Sequence, residues 1–157
     1  PSVASAGPLG VPSMALARNI EQVPYCVLYP SPYLQPDTQE RLEHGHQVYR
    51  SQNGRSTMSL SPSCGSRPMA QMFEDDKKSL QKEHPGITFS VSALKDDSYA
   101  LSYGKAGRIF YGKLWKAPGD AGCYVKAIIE YDESERALWD KALPKIVARP
   151  PSCPASP

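Results

Sequence analysis

Four cysteines in a chain of 157 residues constrain what this sequence can fold into more than any other feature. Cys26 and Cys153 lie near opposite ends of what reads as one small domain, with Cys64 and Cys123 between them. If the outer two are bonded, nearly the whole domain becomes one closed loop. A staple on a loop that long removes roughly 4 to 5 kcal/mol of unfolded-state freedom in the chain-entropy account, comparable to the entire stability of a small domain. Four cysteines allow three pairings, and the residues alone do not choose among them. Bonded cysteines imply an oxidising compartment, whereas four free buried thiols would imply the cytosol. The spacings are wide, with no Cys-x-x-Cys and no histidine beside a cysteine, so neither a zinc site nor any other metal or cofactor is expected.

A hydrophobic fraction of 40 % at this length fits one domain with one core. The formal net charge of +2 is too mild to announce a nucleic-acid binder, which normally shows a concentrated basic face, and the basic residues are spread along the chain. Apolar runs are only a few residues long, so no membrane insertion is expected. Ala4-Ser5-Ala6 has the small-x-small form of a signal-peptidase site, which adds to the expectation of secretion.

Along the chain, residues 1–22 are rich in Pro, Gly, Ser and Ala without periodicity and read as a flexible leader. A single domain is expected over 23–153, followed by a short tail, 154–157. The domain opens with a strand over Val23–Tyr29, stopped by Pro30 and Pro32. Asp37 and Glu40 form a capping-box pattern, and Leu42, Gly45, Val48 and Tyr49 follow at helical spacing up to the turn signal Asn53-Gly54, which predicts the main helix. A second helix is predicted over 68–84, ended by Pro85-Gly86. Strands are predicted at Ile87–Val91, Tyr99–Tyr103, Arg108–Trp115, Cys123–Tyr131 and Arg136–Leu143, with a hairpin turn at Glu133-Ser134-Glu135 and a loop at Pro118-Gly119-Asp120. The expected class is α+β, one main helix packed on a twisted antiparallel sheet.

This order of elements resembles the small secreted guanyl-specific ribonucleases of fungi: a cysteine in an early strand, one helix, a twisted antiparallel sheet and a late cysteine. Asp37 through Gly54 is similar to the family helix and its following turn, and Pro118-Gly119 with Asp132–Glu135 to its loop and tight turn. The resemblance implies a bond between Cys26 and Cys153, which leaves Cys64 with Cys123. It also implies a catalytic Glu, two His, an Arg and a Tyr, which the chain does not supply. The strand that should carry the base offers Gly112 or Lys113, with Asp97 in another register; Lys126 stands for the phosphate Arg, Leu143 for the last His, and 60–63 hold no Tyr-x-His. Without a general acid and base of this kind the family chemistry does not run. A secreted ribonuclease-like domain without its catalytic set resembles the RNase-like effectors of cereal powdery mildew fungi, whose Tyr-x-Cys signature is here the contiguous Tyr25-Cys26. That resemblance implies a non-enzymatic virulence or avirulence protein, delivered into host cells, whose partner is a host protein or an immune receptor; a monomer is expected.

Tyrosines and other aromatics interleave with lysines and arginines in the predicted strands. Lys113, Lys126, Arg108 and Tyr111 are therefore the candidate binding face, and weak RNA binding is the corresponding expectation. The same composition suits any curved antiparallel sheet. An active endoribonuclease or toxin with an unusual site, assembled from Asp97, His84 and Lys126, is the alternative. His44 and His46, two apart, are expected at a solvent-exposed helix end rather than at a metal.

Overall fold

In the computed structural model, which describes residues 12–39, 44–119 and 122–154, two helices lie on opposite faces of a seven-stranded antiparallel sheet. The sheet comprises β3 (Leu34–Pro36), β4 (Gln47–Ser51), β5 (Ser56–Cys64), β6 (Phe89–Leu94), β7 (Ser98–Lys105), β8 (Arg108–Lys116) and β9 (Cys123–Asp132). Its spatial order is β3-β4-β5-β9-β8-β7-β6. The chain runs inward from one edge, crosses to the far edge through helix α1 (Met69–Glu83), then meanders back until β9 docks beside β5. A separate hairpin, β1 (Met14–Asn19) with β2 (Tyr25–Pro30), packs with helix α2 (Arg136–Val147). The α+β class holds, with two helices rather than one on the sheet.

The alternation of β9 divides the core. Val125, Ala127, Ile129 and Tyr131 point to one face, where Leu138, Trp139, Ala142 and Ile146 of α2 cover them together with Tyr25 and Val27 of the hairpin. Tyr124 points to the other, where Met69 and Phe73 of α1 close over Tyr99, Leu101 and Leu114. Cys26 is bonded to Cys153 and Cys64 to Cys123. Cys26 N–H also donates to Pro151 O at 2.9 Å, so the end of the chain is held to β2 by backbone as well as sulfur.

Three expectations are corrected. The main helix predicted from Asp37 is not formed where the structure describes it: 47–51 is strand β4, while Glu40 and Leu42 lie outside the described residues. Val48 and Tyr49 favour a pleated surface, and the burial of Tyr49 and Ser51 around exposed Arg50 has period two. His44 at φ 57° and Gly45 at φ 81° adopt left-handed backbone, which no helix interior accepts. The strand predicted at Arg136–Leu143 is α2, because Leu138, Trp139, Ala142 and Ile146 repeat at helical spacing; the preceding Glu133–Glu135 is a 3-10 turn capped by the Asp132 side chain, not a hairpin turn. Residues 14–19, read from composition as leader, form β1, which pairs with β2 along its whole length.

Gly45 shows how the hairpin is locked to the sheet. Its carbonyl accepts the Tyr25 hydroxyl at 2.6 Å, and a Cβ on it would lie 2.7 Å from Asn19 Nδ2. That amide is fixed in place by donating to Glu21 O and Val23 O at 2.9 and 2.8 Å. Gly45→Ala should therefore cost about 1–3 kcal/mol in denaturant unfolding, backbone strain and crowding together. Gly54, at φ 74° with nothing within 4 Å of a built Cβ, carries the strain alone, so Gly54→Ala should cost less. Equal losses in the two variants would show that the contact with Asn19 is not tight.

Candidate functional site

The strand register separates the four candidate residues into two pairs. Arg108 and Lys126 project to the α1 side of the sheet, Tyr111 and Lys113 to the other.

On the α1 side both cations are committed to carboxylates. Lys126 Nζ donates to Asp76 Oδ2 at 3.0 Å, and the Tyr99 hydroxyl donates to the same oxygen at 2.9 Å, so Asp76 pins α1 to β7 and β9. Burial, then the Asp76 charge, push the Tyr99 hydroxyl well above the ordinary tyrosine range and keep it a donor. Arg108 donates Nε and Nη2 to Glu130 Oε2 at 3.1 and 2.6 Å and Nη1 to Arg55 O at 3.0 Å. Beside it Phe110 stacks on Tyr103 with centroids 4.8 Å apart, and His84 at the C-cap of α1 lies 5.5 Å from Tyr103. Lys105 Nζ sits 3.1 Å from His84 Nδ1.

Past the end of α1's cover, the same face is open. Ile128 is 43 % exposed, because the residues directly opposite it across the ladders are Ser59 on β5 and Gly112 on β8. Neither neighbour has the side chain to cover it. Half-buried Val48, opposite Ser59, continues the row on β4. Sequence reasoning did not single out Ile128. The signal was present in Ile128-Ile129, where consecutive isoleucines must place one of them on the face away from the α2-side core.

On the opposite face Lys113 is only 8 % exposed. Its Nζ reaches Ser98 Oγ at 3.3 Å and stands 5.9 Å from the centre of the Trp115 ring. Burial, assisted by the Lys95 charge and opposed by Asp97, lowers its pKa below the ordinary lysine value. Tyr111 packs against the α2-side core, and burial raises its hydroxyl pKa. Lys113 is thus a packed side chain, and neither it nor its neighbours form a basic stripe.

The residues of the alternative catalytic set do not converge. His84 packs at Tyr103 and Asp97 immediately precedes β7, six residues earlier, which at strand rise is about 20 Å. Lys126 is held by Asp76 between them. His44 and His46 line an open cleft of about 640 Å³ with Arg18, Asn19, Ile20 and Glu21, at a turn rather than a helix end. Among the described residues no group of three His, Cys, Asp or Glu side chains could hold a metal ion, and no helix is long and apolar enough to cross a membrane. No family model matches the chain, and no curated protein matches it.

Proposed function

We propose that this chain is a secreted, non-enzymatic, effector-like protein that acts by binding a protein of its host. The observation that carries the reading is the division of labour on the α1 side of the sheet. The cations that would meet a phosphate backbone are already paired, Lys126 with Asp76 and Arg108 with Glu130, while Ile128 stands exposed between Ser59 and Gly112. A surface of that kind suits a protein partner, whose contact core is apolar and poor in charge. Two disulfides support an oxidising compartment. The resemblance to RNase-like effectors extends the reading to delivery into a host cell and recognition by an immune receptor.

Incubating the purified protein with total RNA and with guanylyl dinucleotides tests the non-enzymatic part. The expected result is no cleavage above a buffer blank. Sustained turnover abolished by Asp97→Asn or His84→Ala would restore the endoribonuclease reading.

A further inference from the structure

The two edges of the large sheet differ in a way that points to a second copy of the chain. At one edge β3 is three residues long and ends in Pro36, which has no amide proton to offer, and the following Asp37 is paired with Arg50 at 2.6 Å. A short strand, a proline and charged side chains are how natural sheets blunt an edge. At the other edge β6 has none of these. From Ile87 through Leu94 the chain carries no charged residue and no proline, β7 is its only ladder partner among the described residues, and Leu94 is 42 % exposed. Its one irregularity, a bulge between Phe89 and Val91, sits at the start and leaves Val91–Leu94 in regular register.

We propose that β6 pairs antiparallel with β6 of a second copy, about a two-fold axis passing beside Ser92. Directly opposed residues in an antiparallel ladder share a face, so a two-fold pairing must centre on a residue rather than between two. Centring on Ser92 sets Val91 opposite Ala93 of the second copy. Both lie on the face away from α1, as their β7 partners Ser102 and Ala100 show, next to Lys113 and Tyr111 of β8. Farther out, Lys95 falls opposite Phe89 and Asp96 opposite Thr88, so no like charges meet. A different partner strand would be selected by charges along the edge, and β6 offers none to select with. The self-pairing is compatible throughout. An edge of about six residues buries less than the roughly 1,200–2,000 Å² of a stable interface, so the dimer should be weak, with Kd on the order of 10–100 µM. This departs from the monomer expected from the sequence.

Sedimentation equilibrium from low to high micromolar concentration tests the proposal, together with Ser92→Lys and Ser92→Asp. Ser92 is exposed, so neither substitution disturbs the fold of one copy. Each alone sets like charges against each other across the axis and should weaken the dimer by about two- to fivefold. An equimolar mixture of the two should restore it, and amide exchange of Val91–Leu94 in the wild type should slow as concentration rises. A wild type that stays monomeric throughout overturns the proposal. So does a dimer indifferent to both substitutions, or a mixture no tighter than either variant alone.

Discussion

Replacing Cys26 and Cys153 together by serine should lower the unfolding free energy by about 2–5 kcal/mol. The bond spans 127 residues and joins β2 to the segment beyond α2. Without it, the unfolded chain regains the freedom of that loop, while in the folded state the Cys26 N–H bond to Pro151 O, the buried Pro151 side chain and the packing of α2 still hold the end of the chain. The inner bond, Cys64–Cys123, spans 59 residues and joins opposed positions at the end of the β5–β9 ladder. By loop length alone the outer bond outweighs the inner by about 0.7 kcal/mol, and the inner pair keeps a nine-residue ladder to hold its strands together when the sulfurs are gone. Urea denaturation of the two double-serine variants should therefore rank the outer pair as the costlier loss. A loss under about 1 kcal/mol for Cys26/Cys153 would show that the ends of the domain are held by packing alone.

Trp139→Ala should cost about 3–5 kcal/mol. Trp139 is fully buried at the centre of α2, with its ring stacked on Tyr131 at 5.4 Å and edge-on to Tyr33 at 6.3 Å. Its Nε1 donates to Ser56 Oγ at 2.9 Å, and that hydroxyl is also bonded to the Tyr33 hydroxyl at 2.6 Å. One side chain thus ties the C-terminal helix to the first residue of β5 and to the segment entering β3. Truncation removes the aromatic volume, leaves a cavity against Tyr131 and Tyr33 and strips one donor from a buried hydroxyl pair. Trp139→Phe keeps most of the volume and should cost about 1–3 kcal/mol, chiefly the hydrogen bond. If alanine costs no more than phenylalanine, α2 is not seated as described.

These expectations rest on a fold that was legible in parts. Tyr99–Tyr103 alternates, Arg108–Trp115 and Cys123–Tyr131 are rich in aromatic and β-branched residues, and each is a strand of the sheet. The helix over 68–84 was legible from its apolar stripe and from the Pro85-Gly86 stop. Asp76 interrupts that stripe, and the Tyr99 hydroxyl and Lys126 Nζ both donate to its carboxylate. The segment around Val48 and Tyr49 misled because two apolar residues after a capping pattern fit a helix as well as a strand, and Tyr49 is buried by pairing with β5 and by the Tyr29 ring, 4.3 Å away. Arg136–Leu143 misled in the opposite sense, since Leu138, Trp139 and Ala142 give helical spacing over barely one turn and Ile146, beyond the segment, extends it. Serine-rich β5 carried no strand signal of its own; its Ser56, Met58 and Leu60 become core because β9 pairs alongside. For the candidate site, composition found Arg108, Tyr111, Lys113 and Lys126 in strands. It could not tell that they divide between two faces, nor that carboxylates 22 and 50 residues away in sequence neutralise Arg108 and Lys126.

The strand-borne cations Lys126 and Arg108 are paired within the protein, with Asp76 and Glu130, which disfavours a nucleic acid as the partner. Titrating labelled single-stranded RNA with the wild-type protein at low and at near-physiological salt tests it most directly, because binding through phosphates releases counterions and falls steeply as salt rises. No saturable binding in the micromolar range is expected at either salt. Submicromolar binding that collapses between the two salts would contradict it and would make Lys105, Arg108 and the Tyr103–Phe110 stack an RNA platform.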